Sequence, residues 1–389
     1  MSRRTSHWAS AGFTLNIYQP LPQGGAFLTE LSISAQDWRH TISAFGGFDV
    51  AEFTLVDTLP VLEEWLEQGI GRGITAYDEA GEVMWDGFVD SVSLRVAGLE
   101  VTRGPLTEVA NQVNVIYSAI DTSTNPPTPG ERKQTGTLND LESWARYGVW
   151  PVNVSVAGVT DTNANILRST YLAERKHPAT TSHFIGGSEP PMLRVRCLGW
   201  IHTLTYPYNQ TASSGTINLS TKIQNILSAQ LNSGWISTDY SRITTNTLGV
   251  PSYENNDQTA LALIKGLVAM GDVNARRYLF GIYDRRQAVY EPASSTIDYE
   301  MRLGDPGQMI LDPAGAEVYP WRVRPGRWIF FSDFLPGRAP TPDKFREDPR
   351  MLFIESVTFA LPHGVQLQGG RAETFSQKLA QFGLAGASA

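Results

Sequence analysis

The sequence contains one cysteine, Cys197, among 389 residues. A single thiol cannot form an intrachain disulfide, and it excludes metal sites built from several cysteines. Cys197 lies in Leu193–Leu198, a run in which apolar and polar residues alternate as they do in a strand. We therefore predict that Cys197 is a small buried residue of the core.

Long apolar runs are also missing. No stretch approaches the roughly 20 apolar residues that a membrane-spanning helix needs. The first residues lack the apolar region of a secretory signal. We expect no membrane segment, and a product that is assembled in the cytoplasm of the producing cell.

Basic runs are short, and acidic residues are in excess. The formal net charge is −8, and the adjacent arginine pairs are Arg3-Arg4, Arg276-Arg277 and Arg285-Arg286. Sequence-independent binding of nucleic acid requires clustered cations, so stable binding of this kind is disfavoured. The absence of a GxxxxGK[ST] motif excludes a P-loop NTPase.

Patterns that would indicate catalysis are weak. Glycan hydrolysis requires paired carboxylates. The candidates for such a pair are Glu63, Glu64, Asp78, Glu79 and Asp86. The candidate metal ligands are His177, His183, Glu174 and Glu189. The sequence has no GxSxG motif and no plausible Cys/His pair, so we expect no enzyme, no catalytic residue, no metal and no cofactor.

The residues that are present favour a mainly β (α+β) fold. Charged residues make up only 18% of the chain, which has 10 Trp, 14 Tyr and 16 Phe. Alternating runs separated by turn residues predict two similar antiparallel β-units, Ala51–Gly104 and Arg327–Gly370. Apolar periodicity predicts short helices over 59–68, 140–148 and 163–176, and two more from 220 and 257. Polar, proline-rich segments at 121–137 and 183–191 predict loops, and a helix is expected to begin near 372.

Five aromatic residues mark the second β-unit. They are Trp321, Trp328, Phe330, Phe331 and Phe334. Residues 328–331 are apolar on both faces of the expected strand. The second face must then be covered by a helix of the same chain or by a neighbouring chain. We favour the neighbouring chain and predict that these five residues form an interface.

The order of several short segments resembles a known family. These segments are WDGFVDSVSLRVAGLEVTRGP, DLESWARYG, LRVRCLGWIHTL, STKIQNILSAQL, DQTALALIKGLVAMGD and RPGRWIFFSDF. Together they span nearly the whole chain, from about Phe13 to Leu379. In this order they resemble the tail hub, or baseplate hub, proteins of tailed bacteriophages and related contractile injection systems.

The resemblance implies a structural protein of the virion, located at the tail tip or baseplate. It implies a homotrimer in which each chain supplies two tail-tube-like antiparallel β-barrels, with mixed helix and strand domains between them. The expected domains are a first barrel at 1–118, a loop-rich mixed segment at 119–192, mixed α/β domains at 193–300, a second barrel at 301–371 and a tail at 372–389. The implied partners are a tail tube or distal tail protein, a tape-measure protein, a tip or central fibre protein, and genomic DNA that passes without tight binding.

Two alternatives remain open from the sequence. One is a distal-tail or receptor-adaptor protein with a carbohydrate-binding β-sandwich, and the other is a tail-associated glycosidase or peptidase. If the chain forms a ring, its net charge predicts an acidic or neutral channel. The candidate acids for that lining are Asp78, Glu79, Asp86, Asp90, Asp333 and Glu355.

Overall fold

A computed structural model describes residues 13–31, 35–121, 128–187, 190–209, 215–253, 258–302, 309–333, 335, 337–360 and 364–370. Phe334, Glu189 and the predicted helix after 372 lie outside the described residues. The fold is mainly β with few helices, which confirms the predicted class.

The N-terminal unit contains seven strands and one helix. They are β1 (Phe13–Tyr18), β2 (Phe27–Glu30), β3 (Ala35–Ser43), β4 (Phe45–Leu55), α1 (Leu59–Gln68), β5 (Gly73–Asp78), β6 (Val83–Val96) and β7 (Leu99–Arg103). Helix α1 has the predicted bounds, with Pro60 in its first turn, where a proline needs no hydrogen-bond partner for its nitrogen. The predicted hairpins β5–β6 and β6–β7 are also confirmed.

A small second sheet follows. Its elements are β8 (Gln112–Asp121), β9 (Thr128–Gln134), β10 (Leu138–Asn139), α2 (Leu141–Tyr147), β11 (Pro151–Ala157) and α3 (Asp161–Arg175). The predicted loop at 121–137 is wrong over 128–134, because β9 pairs with β8, and residues 122–127 lie outside the described residues. This strand lies at a sheet edge, where polar side chains remain in solvent and a proline is tolerated. Both predicted helices are confirmed, with caps at Asp140 and Thr160 that each accept a backbone N–H.

The central segment returns to the first sheet and then forms a helical layer. Its elements are β12 (Thr180–Phe184), β13 (Met192–Gly199), β14 (Thr216–Asn218), α4 (Leu219–Ser228), β15 (Gly249–Pro251), α5 (Ala260–Met270), β16 (Tyr278–Ile282) and β17 (Ala288–Pro292). Strand β13 lies between β4 and β6 and buries Cys197, as predicted. The predicted loop at 183–191 is wrong at its start, since His183 and Phe184 belong to β12.

The closing unit contains β18 (Ile297–Arg302), β19 (Met309–Leu311), β20 (Trp328–Phe331), β21 (Met351–Ala360) and β22 (Gly364–Gly370). Strand β21 pairs with β3, so the N-terminal and closing units share one sheet. Its main strand order is β19-β18-β20-β21-β3-β4-β13-β6-β5-β1-β2. This path of described strands has two ends and is not a closed barrel, so the two predicted barrels are not confirmed.

Candidate assembly surface

One continuous antiparallel ladder crosses both β-units. Its order is β22-β21-β3-β4-β13-β6-β7-β12, and each neighbouring pair is hydrogen-bonded. One face of this eight-strand ladder packs on the core through residues such as Val357, Ile42, Phe53, Val195 and Leu94. Since side chains alternate along a strand, the opposite face must carry the residues in between.

That opposite face of the ladder is polar and carries charged residues of both signs. Most of its positions are Ser, Thr or Gln, as at Thr41 and Thr358, whose hydroxyls lie 3.2 Å apart. Its charged residues are Arg39, Arg95, Arg194, Arg196, Glu52 and Glu100. Arg39 lies opposite Glu52, Arg95 lies opposite Glu100, and Arg196 forms an ion pair with buried Asp90. Three of the four arginines therefore lie beside a carboxylate, whereas Arg194 lies between Thr54 and Ser93.

The two outer strands of the ladder, β12 and β22, each pair on one side only among the described strands. Neither contains Lys, Arg, Asp, Glu or Pro, the residues that commonly protect a free edge from another chain. All five residues of β12 are exposed, and Phe184 at its end is 76% exposed. Ile185 and Leu99 next to it are exposed as well. Within the described part of the chain, the outer side of each of these two strands has no strand paired with it.

The structure covers the aromatic residues of the closing unit within the chain. Trp328 and Phe330 are buried on one face of β20 with Phe345 and Phe353, while Ile329 on the other face joins a separate cluster with Phe331 at its margin. Both apolar faces are thus covered without a second chain. Trp321 is also buried, and Phe334 lies outside the described residues. The predicted interface role of this set of five residues stays a prediction.

Trp321 belongs instead to a polar junction between the two units. Its indole nitrogen donates to Asp78 Oδ2 at 3.1 Å, and Arg322 donates to the same oxygen at 3.0 and 2.6 Å. Asp78 Oδ1 accepts the backbone N–H groups of Ala80 and Glu82, both at 2.9 Å. Burial raises the pKa of Asp78, but the hydrogen bonds from Arg322, Glu82 and Trp321 outweigh it and hold the pKa below its usual value.

Other predicted lining acids are also held inside the chain. Asp86 is buried and accepts a hydrogen bond from Thr75 at 3.1 Å, and Asp90 is fully buried. Glu355 is bound by both terminal nitrogens of Arg277, at 2.6 and 2.7 Å. The sequence interpretation of these acids as channel-lining residues was therefore wrong for Asp78, Asp86 and Asp90, because tertiary contacts bury them. Glu79 is exposed at the hairpin tip, and Asp333 lies two residues beyond the end of β20.

The described candidate enzyme and metal residues are distributed over several elements. Glu63 and Glu64 lie on α1, where Glu64 forms an ion pair with Arg72 at 2.7 Å. His177 lies just beyond α3 and His183 in β12. Within the described ranges, no group of three or more His, Cys, Asp or Glu residues is placed to hold a metal ion. No helix in the described part of the chain is long and apolar enough to cross a membrane.

Sequence reasoning missed His40, which lies where β3 joins the two units. It is fully buried, pairs across the ladder with Phe359, and accepts a hydrogen bond from the Trp38 indole at 2.9 Å. Burial, with a further contribution from the positive charge of Arg324, lowers the pKa of His40 to about 3. The signal was available, because Trp38, His40 and Ile42 share one face of an alternating strand.

Neither a family model nor a curated protein matches this chain. The chain is similar to solved structures that include the following three. The prophage MuSo2 43 kDa tail protein from Shewanella oneidensis is 9% identical, with a TM-score of 0.42, over 93% of this chain and 97% of that one. The tail protein from Neisseria meningitidis MC58 is 8% identical, with a TM-score of 0.40, over 92% and 95%. The prophage tail protein gp18 from Listeria monocytogenes EGD-e is 9% identical, with a TM-score of 0.37, over 95% and 98%. Similarity at this level assigns neither a family nor a function to this chain.

Proposed function

We propose that this protein is a non-enzymatic structural component of a bacteriophage tail, a hub at the distal end of the tail tube whose copies close into a ring. The observation that carries the proposal is the eight-strand ladder, whose two outer strands carry no charged residue and pair on one side only among the described strands. The segment order that resembles tail hub proteins supports the same function. In the ring, β12 of one copy pairs with β22 of the next.

The dimensions of the ladder favour three copies. Contacts between two different edges of identical copies generate a closed ring when the rotation from one copy to the next divides a full turn evenly. Strands lie about 4.8 Å apart, so three sets of eight strands form a wall roughly 115 Å around and roughly 37 Å across. Inward side chains take about 5 Å from each wall, which leaves a channel wide enough for duplex DNA. Strand tilt would widen it further.

The partners follow from this position. A tail tube or distal tail protein joins one end of the ring, a tip or central fibre protein joins the other, and a tape-measure protein occupies the channel before genomic DNA passes. If the polar face of the ladder lines the channel, its arginines lie among matching carboxylates and hydroxyl groups. Such a face releases few counterions and does not retain DNA.

The test is the mass of the purified protein in solution, by analytical ultracentrifugation. We expect a trimer for the wild type and a monomer for Thr181→Lys/Ser182→Lys, because charges on β12 oppose the pairing of strand edges. The matched control is Thr162→Lys/Thr170→Lys on exposed positions of α3, which should remain trimeric. A wild-type monomer, or β12 variants that stay trimeric, would contradict the proposal. A hexamer would favour the distal-tail alternative.

A further inference from the structure

A cavity of about 570 Å³ lies apart from the ladder edges, between β5, β6 and the β16–β17 turn. Its volume is within the range of small-molecule sites. Its lining combines three aromatic residues, Tyr18, Tyr77 and Trp200, with charged groups of both signs. Neither the ring proposal nor any packing requirement accounts for this combination.

The arginines of the cavity are incompletely paired. Arg285 forms no ion pair or side-chain hydrogen bond within the described part of the chain, and it is exposed. The Nη1 atom of Arg324 is buried and finds no hydrogen-bond partner there, although the guanidinium lies 5.6 Å from the ring of Tyr283. Guanidinium groups bind a carboxylate through two parallel hydrogen bonds. The cavity thus contains two guanidinium groups, those of Arg285 and Arg324, that form no ion pair with a described residue.

The turn that contains Arg285 holds two arginines in a backbone conformation with positive φ. Arg285 and Arg286 have φ values of 56° and 60°, and Gln287 donates to the carbonyl of Asp284 at 3.2 Å. This geometry is that of a type I′ hairpin turn, which favours Asn and Gly at its central positions. Arginine is disfavoured in this conformation. Arg286 has a structural use, because it donates to Gly234 at 2.6 Å and covers Trp200, but Arg285 has none.

The remaining lining groups are suited to a sugar ring. Trp200 is buried, and its indole lies within hydrogen-bonding reach of the Asp86 carboxylate. Asp86 and the two tyrosine hydroxyls can exchange hydrogen bonds with sugar hydroxyls, and Trp200 forms part of the aromatic wall. Burial raises the pKa of Asp86 to about 6, so its carboxyl is partly protonated near neutral pH. Asp284 and Glu82 also line the cavity and would repel a polyphosphate more strongly than a singly charged group.

We propose that this cavity binds a saccharide that bears a carboxylate, with Arg285 and Arg324 bound to the carboxylate and the Asp86–Trp200 wall bound to ring hydroxyls. The inference is independent of ring formation. The ligand chemistry follows from the lining: one anionic group near the arginines, and a hydroxylated ring against the aromatic wall.

The test is calorimetric titration of the full chain with trimers of galacturonate, glucuronate and mannuronate. We expect saturable binding of at least one trimer, and an affinity at least tenfold lower for its neutral methyl ester, because the guanidinium–carboxylate bonds are lost. Tri-glutamate carries the same number of side-chain carboxylates without a sugar ring, and it should not bind. Equal binding of the ester or of tri-glutamate would overturn the proposal, as would no binding by any of the three trimers.

A turn variant separates binding from folding. Arg285→Asn places a favoured residue in the type I′ turn, so its melting temperature should be equal to or above that of the wild type. Its affinity for the bound trimer should fall at least tenfold. Arg346→Asn, which removes an exposed arginine outside the cavity, should bind as the wild type does. Unchanged affinity in Arg285→Asn would refute the assignment of this arginine.

Discussion

Replacing Asp78 by alanine should destabilise the contact between the two β-units. The Asp78 side chain is 3% exposed and accepts hydrogen bonds from Trp321, Arg322 and two backbone N–H groups. Removing one partner of a buried ion pair costs about 3–5 kcal/mol. Arg322 is 39% exposed and can be solvated, so we expect a loss of about 2–3 kcal/mol in the free energy of unfolding.

The assay is urea unfolding followed by tryptophan fluorescence, to which buried Trp321 contributes. Glu63→Ala, on the exposed side of α1, is the control and should change stability by less than about 0.5 kcal/mol. In an Arg322→Ala background, Asp78→Ala should cost less, because the two residues share one interaction. A loss below about 0.5 kcal/mol, or equal losses in both backgrounds, would refute the reasoning.

Three further predictions concern buried positions. His40 has a pKa of about 3 when folded and 6.5 when unfolded, so only the unfolded state takes up the proton as pH falls through this range. Stability should fall by up to about 1.4 kcal/mol per pH unit there, and unfolding curves of His40→Gln that keep the same slope would contradict this. Asp86 has a pKa of about 6 in the folded state and 3.8 in the unfolded state. Its contribution to the free energy of unfolding therefore has the opposite sign, and it decreases as pH rises from 3.8 to 6. Asp86→Asn should therefore steepen the loss of stability on acidification, measured by the same titration. Gly47→Ala should lower the free energy of unfolding by at least about 2 kcal/mol more than Gly81→Ala, because both have positive φ but only at Gly47 would the new Cβ lie 2.5 Å from the Ile282 carbonyl oxygen. Equal losses in chemical denaturation would exclude that clash.

The sequence predicted elements whose signals are local. Helix α1 follows from Pro60 at its start and from Leu62 and Trp65 on one face, both of which are buried. The β5–β6 hairpin follows from two alternating runs around a polar turn. The strand β9 was missed because its proline and charged residues are typical of a loop but are also tolerated in an edge strand. Periodicity alone does not distinguish a loop from an edge strand.

The arrangement of the ladder depends on contacts between distant residues. Pairing of β21 with β3 joins residues more than 300 positions apart. Strand β13 lies between β4 and β6, although the strands of the small second sheet separate it from them along the chain. No periodic pattern encodes which strand lies beside which. The same limit applies to Asp78, which resembles a solvated hairpin-tip residue until Arg322, 244 positions later, covers it.

Predicting the location of an interface also requires contacts between distant residues, which local sequence patterns do not show. The aromatic run 328–331 suggested a covering chain because both of its faces are apolar, yet residues of the same chain cover both faces. Apolar side chains can be buried by distant parts of the same chain. The backbone N–H and C=O groups of an edge strand must instead form hydrogen bonds with another strand or with solvent. In β12 those groups lie next to exposed Phe184 without a protecting charge. An edge strand that carries no charge and has one partner among the described strands is therefore a stronger indication of assembly than the aromatic run 328–331.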